Sequence, residues 1–112
     1  MSSALGEFEQ LVLFAVLRLD QGASGVAIRD EIQARTGRDV SPGAIYTTLG
    51  RLEERGLVRS IVLAPASGKV GRPRKHYVLR PAGAKALRDA YEHIQALAVG
   101  LLPRLSDLAK GR

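Results

Sequence analysis

The sequence predicts a mainly α-helical domain with one small β-hairpin, which places it in the α+β class. Three observations carry this prediction. Three segments with a helical pattern come first, two short aliphatic runs follow, and a seam of apolar residues at heptad spacing ends the chain. The chain has 112 residues, of which 46% are apolar and 25% charged. These values suit one compact domain and argue against intrinsic disorder.

The first two predicted helices differ in how much of their surface is apolar. Residues 7–19 are apolar at almost every position, and a helix of this kind has to be buried on all sides. Since one small domain rarely covers every face of a helix, part of this surface is expected to meet a second subunit. Residues 25–35 are predicted to form a shorter helix, which Gly37 ends.

The third predicted helix has the clearest start signal in the chain. Ser41 can cap its free amides, and Pro42 stands at the first helical position, where its missing N–H costs nothing. The helix is expected to run to about Arg55 and to stop at Gly56. One face carries the apolar stripe of Ile45, Leu49 and Leu52. The opposite face carries Gly43, Thr47, Gly50, Arg51 and Glu54, with Tyr46 at its margin.

Two short strands are predicted after this helix, over residues 57–63 and 77–80, because both segments are rich in valine, isoleucine and leucine. The connection between them, residues 64–76, is too long for a tight hairpin turn and is predicted to be a basic loop. Its basic residues are Lys69, Arg72, Arg74 and Lys75. A hairpin with a basic tip is therefore expected.

The last predicted helix begins at Pro81 and carries a seam of apolar residues. They recur at alternating spacings of four and three, which is typical of a helix that pairs with another helix. The seam consists of Leu87, Tyr91, Ile94, Ala98, Leu101, Leu105 and Leu108. Pro103 falls inside this seam and is expected to kink or interrupt the helix near its end.

Charge is unevenly distributed along the chain, whose net charge is +6. Residues 1–40 carry −2, residues 41–80 carry +6 and residues 81–112 carry +2. No acidic residue lies between Arg55 and Arg88, a stretch that contains nine basic residues when both ends are counted. An acid-free basic stretch in the middle of a folded chain is an electrostatic footprint for polyanions.

Together these elements predict a winged helix-turn-helix domain over residues 1–80 and a dimerisation helix over residues 81–112, joined in one compact unit. The major groove of duplex DNA accepts a single helix, and a helix N-terminus without acids can point its free amides at phosphate. Residues 41–50 contain no acid. The third helix is therefore the predicted DNA-reading element, and the hairpin adds positive charge beside it.

Five segments resemble those of the PadR family of bacterial transcriptional regulators: residues 5–9, 41–49 (SPGAIYTTL), 51–53, 56–58 and 77–83. The likeness covers nearly the whole chain and is closest to the short subfamily, whose C-terminal part is a single helix. Its specific part is the combination of Ser41, Pro42 and Gly43 with Tyr46. The family commonly has threonine as a helix cap before its Pro-Ala-Gly element, where this chain has Arg80.

The resemblance implies a homodimeric repressor that binds double-stranded DNA, with the first and last helices of each chain around the two-fold axis. It also implies that the third helix enters the major groove and that the hairpin, or wing, lies over the adjoining minor groove. The predicted DNA-contacting residues are Ser41, Gly43, Tyr46, Thr47, Arg51, Lys69, Arg72, Arg74 and Lys75. The predicted dimer-interface residues are Phe8, Leu11, Phe14, Leu87, Tyr91, Ile94, Ala98, Leu101 and Leu105.

Several of these residues have a second interpretation. The sequence Gly71-Arg72-Pro73 is similar to a minor-groove hook, in which a narrow A·T groove attracts arginine, but it also suits a solvated turn. Tyr46 either contacts DNA or is a half-buried packing residue. Arg51 contacts a phosphate or a guanine, or it pairs with a neighbouring carboxylate. The C-terminal seam could also pack within one chain, although the apolar first helix favours packing between subunits.

Two other functions are compatible with the sequence: a non-specific architectural DNA-binding protein, and a protein-interaction module on the same scaffold. An enzyme is not expected, because the sequence shows no nucleophile–base pair, paired-carboxylate motif or phosphate-binding glycine loop. His76 and His93 have no partner at metal-ligand spacing, and the chain contains no cysteine. Neither a metal ion nor a cofactor is therefore expected.

The sequence also bears on location and on small ligands. The N-terminal residues do not form a secretory signal, and the longest apolar run, residues 11–17, is far shorter than the ~20 residues of a membrane span. The protein is therefore expected to be soluble and cytoplasmic, with no membrane partner. A small aromatic effector is left open, since Phe8, Phe14 and Tyr91 could line a site in the predicted dimer region.

Overall fold

The computed structural model describes residues 4–63 and 74–111, in which five α-helices and two antiparallel strands follow one another along the chain. They are α1 (Glu7–Leu19), α2 (Gly25–Thr36), α3 (Pro42–Glu54), β1 (Val58–Leu63), β2 (Arg74–Leu79), α4 (Pro81–Ala98) and α5 (Leu102–Ala109). A short 3₁₀ turn, Asp20–Gly22, links α1 to α2. This order confirms the predicted fold class, a mainly helical winged helix-turn-helix with one hairpin.

The helix starts follow from local side-chain chemistry. Ser41 Oγ accepts a hydrogen bond from the Ala44 amide at 3.1 Å, which confirms the predicted cap of α3. Ser24 caps α2 in the same way, accepting from the Ala27 amide at 3.2 Å. Gly37, with φ 74°, ends α2 in the left-handed conformation that glycine adopts without strain.

The core forms where α1, α2 and α3 meet the base of the hairpin and the start of α4. The predicted apolar stripe of α3 is fully buried, so its opposite face has to point outward. The largest fully buried side chains are Leu13, Ile28, Ile45, Leu49, Leu52, Val12, Val16 and Val58. Each contributes roughly 1.5–3 kcal/mol through removal of apolar surface from water, which fixes α3 firmly on the body of the domain.

The second strand begins three residues earlier than the sequence predicts. It starts at Arg74, which pairs with Leu63, rather than at Tyr77. Arginine and lysine carry little strand signal by themselves, and only the partner strand places Arg74 and Lys75 in the ladder. Two of the four basic residues that were predicted to lie in a loop therefore belong to a strand.

The hairpin is attached to the body at its base. Tyr77 N–H donates to the Ala23 carbonyl at 3.0 Å, and Ser24 forms an isolated antiparallel bridge with His76. The segment before α2 therefore pairs with the second edge of β2. Arg80 N–H donates to the Leu57 carbonyl at 2.9 Å. A two-stranded ribbon alone is only marginally stable, and these contacts supply support that its own ladder lacks.

The predicted C-terminal helix is divided into two. Helix α4 ends at Ala98, Gly100 has φ 79°, and α5 begins at Leu102 with Pro103 in its first turn. A proline inside a helix would clash with the carbonyl four residues earlier, here that of Val99, whereas the first turn accepts it. The interruption expected from Pro103 is therefore present, and it precedes the proline.

From Tyr91 onward every described side chain is exposed, so the second half of α4 and all of α5 project from the body as an arm. The radius of gyration is 16.6 Å, against about 13 Å for a compact chain of this length. The exposed large apolar side chains of this arm are Tyr91, Ile94, Leu97, Val99, Leu101, Leu102, Leu105 and Leu108. Among the described helices, none combines the length and hydropathy that a bilayer crossing needs.

Candidate nucleic-acid interface

The outer face of α3 is open to solvent along its length. Gly43, Thr47, Gly50 and Arg51 are exposed, while the apolar stripe on the other side is buried. A Cβ atom added at Gly43 or Gly50 would meet nothing within 4 Å, so a partner can approach the backbone closely at both positions. The predicted α3 contact residues thus share one accessible face.

The first turn of α3 is suited to bind an anion. Its first turn holds no acidic residue, and the first carboxylate on the helix is that of Glu53, in the last turn. Free amides and the helix dipole favour an anion at such an end. Ser41 is exposed there, and its hydroxyl already accepts from the Ala44 amide.

Tyr46 has features of both of its interpretations, a packing residue and a residue that can contact DNA. Its ring lies against Gly25 at the start of α2: a Cβ atom there would come within 2.5 Å of Tyr46 Cε1 and 2.6 Å of its hydroxyl oxygen. The side chain nevertheless keeps 50% of its surface exposed. Gly25 therefore makes room for the ring, which packs on one side and is accessible on the other.

Four exposed basic side chains lie on α3 and the hairpin without an acidic partner. They are Arg51, Arg59, Arg74 and Lys75, and within residues 4–63 and 74–111 no carboxylate oxygen lies within 4.0 Å of any of their side-chain nitrogens. Arginines elsewhere differ, since those at positions 29, 35, 38, 55 and 88 form ion pairs. Lys69 and Arg72, also predicted to contact DNA, lie outside the described residues.

The hairpin register distributes these charges over both of its faces. Lys75 pairs with Val62 and so shares a face with Ser60 and the buried Tyr77. Arg59 and Arg74 lie on the opposite face. Sequence reasoning missed Arg59, although the alternation of side chains along the predicted strand could have indicated an outward-facing position.

A carboxylate joins the last turn of α3 to the hairpin. Glu53 Oε2 accepts hydrogen bonds from the Ser60 hydroxyl at 2.6 Å and from the Ser60 amide at 3.2 Å. The Ser60 hydroxyl lowers the pKa of Glu53 most; burial opposes this, and the Ser60 amide and the charge of Lys75 lower the pKa further. The sequence contains no signal for this contact, because its partners lie on different elements.

The lowered pKa of Glu53 predicts how this contact depends on pH. A carboxyl with a folded-state pKa below its ordinary value of 4.5 stabilises the fold above that value, and the stabilisation is lost as the pH falls through the folded-state pKa. We expect wild type to exceed Glu53→Gln in free energy of unfolding at neutral pH, and the difference to shrink below about pH 4.5. Urea unfolding across this range measures it. A difference in free energy of unfolding that is independent of pH would contradict the lowered pKa of Glu53. Ser60→Ala should weaken the pH dependence.

Two ion pairs connect α1 with the residues that flank α3. Arg38, in the turn before α3, pairs with Glu7 at 2.7 Å and lies over the Phe8 ring, 5.9 Å from its centroid. Arg55, at the C-cap of α3, pairs with Glu9 at 3.2 Å. The two arginines that flank α3 are therefore held by the first turn of α1.

The predicted dimer residues divide into two groups. Phe8, Leu11 and Phe14 of α1 are partly buried against the core, and Leu87 is only 4% exposed, so Leu87 belongs to the core of its own chain and has little surface left for a partner. Phe14 and Tyr91 meet edge to face with centroids 6.0 Å apart. The remaining residues, Ile94, Ala98, Leu101 and Leu105, are exposed on the arm.

The histidine and acidic side chains of the described residues do not form the cluster that a metal site requires. No group of three or more histidine, cysteine, aspartate or glutamate side chains in the described part of the chain could hold a metal ion. His76 Nδ1 lies 2.9 Å from the Gln21 carbonyl oxygen, which attaches β2 to the turn before α2. This histidine therefore has a structural contact.

Comparison with known proteins identifies a family. The sequence model of the transcriptional regulator PadR-like family matches residues 13–89. A transcriptional activator of Halobacterium salinarum, GvpE2, is 30% identical over 98 residues, which are 88% of this chain and 44% of that protein. The chain therefore spans less than half the length of this curated relative.

Solved structures of regulators share the fold. A PadR family transcription regulator from Clostridium difficile R20291 superposes with a TM-score of 0.71 at 21% identity, covering 89% of this chain and 99% of the other. A PadR family regulator from Eggerthella lenta gives a TM-score of 0.66 at 27% identity, covering 88% and 86%. Both of these proteins are PadR family transcription regulators.

Proposed function

The chain belongs to the PadR-like family of transcriptional regulators, and we propose that it acts as a homodimeric repressor that binds a pseudo-palindromic operator in double-stranded DNA. The observation that carries this proposal is the open outer face of α3, which holds no acidic residue over residues 42–52, beside four basic side chains that have no carboxylate oxygen within 4.0 Å among the described residues. Side chains that already have an acidic partner would give up that contact to meet phosphate. Arg51, Arg59 and Arg74 give up no such contact within the described part of the chain. Lys75 would weaken only its longer-range attraction to Glu53.

In the proposed complex α3 enters the major groove, and the hairpin lies over the adjoining minor groove. Thr47 and Arg51 face base edges or phosphates, while Ser41 and Tyr46 lie near the phosphate backbone. Arg74 and Lys75 extend the contact along the backbone, and Lys69 and Arg72, which the sequence also predicts to contact DNA, lie outside the described residues. Two copies of α3 about 34 Å apart would meet successive major grooves, which is why the operator is expected to be an inverted repeat.

The arm supports the dimeric part of the proposal. Its exposed leucines, together with Ile94 and Tyr91, form an apolar strip on a chain whose core does not reach it. Monomeric proteins rarely expose contiguous apolar strips of this kind, and a second copy of the same arm provides a matching surface. Residues 1–80 would then bind DNA, and residues 81–112 would join the two chains.

Repression requires only occupancy of a promoter, whereas activation also requires a surface that recruits the transcription machinery. Because the relative GvpE2 is a transcriptional activator, the direction of regulation has to be tested, by transcription in vitro from the operator that the protein selects.

A small aromatic effector that releases the repressor is also part of the proposal. It would bind where Phe14 meets Tyr91 near α1.

The test is selection from fragmented genomic DNA at about 150 mM salt, a concentration at which specific and non-specific binding separate. Enrichment of one inverted repeat is the expected result. If all fragments are retained equally, and this retention is lost when salt is added, a non-specific architectural protein is favoured. No retention at low salt would favour a protein-interaction module and contradict the proposal.

Removal of the basic residues of β2 tests the role of the hairpin. We expect Arg74→Ala combined with Lys75→Ala to lower affinity for every DNA sequence and to flatten the dependence of log K on log salt by up to about two units. The control is Arg104→Ala with Lys110→Ala, which removes the same charge from α5 and its C-cap. An unchanged slope in the hairpin variant would show that these residues do not contact phosphate.

A further inference from the structure

One carboxylate fixes the position of the hairpin relative to α3. Glu53 Oε2 accepts from both the hydroxyl and the amide of Ser60, and both residues are partly buried. A single oxygen that binds the side chain and the backbone of the same strand residue restricts both the distance and the direction of that strand. The contact joins the two elements that we propose to bind DNA.

The hairpin register explains why the Ser60 amide is available. Arg80 N–H donates to the Leu57 carbonyl, and hydrogen-bonded pairs alternate along an antiparallel ladder. The pair of Ser60 and Tyr77 is therefore of the non-bonded kind, and Ser60 N–H points away from β2. Glu53 accepts a donor that the two-stranded ladder leaves unpaired.

The basic residues of β2 lie beyond this anchor. Their partners on β1 are Val62 and Leu63, two and three residues from Ser60, which is about 7–10 Å along the strand. A small rotation of the hairpin at its base is therefore amplified where Lys75 and Arg74 are. The two edges of the base are held differently, by Glu53 at β1 and by the Ala23 carbonyl at β2.

We propose that Glu53 is a positioning residue for DNA binding: through Ser60 it sets the angle between the hairpin and α3, so that Arg74 and Lys75 reach phosphates beside the groove that α3 occupies. This inference rests on the proposed function. A negative charge between two DNA-binding elements repels phosphate, so Glu53 can favour binding only through the geometry that it imposes.

The test compares Glu53→Ala with Glu54→Ala on the duplex that wild type enriches from genomic DNA. Alanine is used because the amide oxygen of a glutamine could still accept both hydrogen bonds from Ser60. Glu54 is the exposed next residue of α3 and has no hydrogen bond to the hairpin among the described residues. Both substitutions remove one negative charge, and electrostatics alone raises DNA affinity in both cases. We expect Glu54→Ala to bind at least as tightly as wild type and Glu53→Ala to bind about ten-fold more weakly, as measured by fluorescence anisotropy.

Two further readouts separate positioning from a general effect on the fold. Glu53→Ala should flatten the salt dependence by about one unit, since displaced hairpin residues no longer contact phosphate. In a protein that already carries Arg74→Ala and Lys75→Ala, Glu53→Ala should cause no further loss of affinity and should show only the electrostatic gain that Glu54→Ala shows. If Glu53→Ala does not fold, as judged by circular dichroism, Ser60→Ala carries the same cycle and retains the carboxylate.

Each outcome has one meaning. Equal effects of Glu53→Ala and Glu54→Ala on a wild type that binds DNA would overturn the positioning role and leave the proposed function intact. The same would follow if the loss in Glu53→Ala persisted without Arg74 and Lys75. If wild type binds no duplex even at low salt, the proposed function fails and this inference fails with it.

Discussion

Gly83→Ala is expected to lower the free energy of unfolding by about 3 kcal/mol, at the upper end of the range for overpacked sites. Gly83 lies in the first turn of α4, directly against the end of the hairpin. A Cβ atom at this position would come within 2.1 Å of the Leu57 carbonyl oxygen and 2.8 Å of Leu79 Cδ1. Backbone cannot move aside as a flexible side chain can, so α4 has to separate from β1.

The same carbonyl of Leu57 accepts the Arg80 amide at 2.9 Å, so this separation also strains the hydrogen bond that closes the hairpin. Thermal unfolding would detect the change as a fall in melting temperature of about 10 °C or more. Gly50→Ala is the matched control, because a Cβ atom at Gly50 meets nothing within 4 Å. This second variant should gain up to about 1 kcal/mol from the better helix propensity of alanine. Equal stability of Gly83→Ala and wild type would contradict the close approach of Gly83 to the Leu57 carbonyl.

The elements that sequence analysis predicted well are those specified by neighbouring residues. The cap by Ser41, the position of Pro42 and the spacing of the apolar stripe all act within one or two turns of α3, and the structure confirms them. The break in the C-terminal helix was predicted for the same reason, since Pro103 acts on its own helix. Its position before the proline depends on Gly100, which takes φ 79°.

The contacts that sequence analysis missed join residues on different elements. Glu53 and Ser60 are seven positions apart, but only the reversal of the chain between α3 and β1 brings them together. Gly25 and Gly83 were not singled out, because the need for glycine arises from the Tyr46 ring and the Leu57 carbonyl, which the fold places against them. Leu87 has the spacing of the seam, but it lies where α4 still covers the core.

Ile94→Glu is expected to convert the proposed dimer to a folded monomer. Ile94 keeps 54% of its surface exposed in the single chain and lies on the face of α4 that carries Tyr91 and Ala98. A carboxylate in a helix–helix seam loses its water without gaining a partner, and near a two-fold axis it also faces the same charge on the second chain. Because the side chain is exposed before association, the fold of each chain should persist.

Sedimentation at micromolar concentration measures this change, and Ala96→Glu provides the control. Ala96 lies about 200° around the helix from Ile94, so the same charge is added on the opposite face. We expect Ala96→Glu to remain dimeric and Ile94→Glu to be monomeric with an unchanged helical circular dichroism spectrum. Operator affinity should then fall by about a hundred-fold or more, because the second half-site is no longer bound by a linked subunit. A dimeric Ile94→Glu would mean that the exposed strip of the arm does not join the two chains.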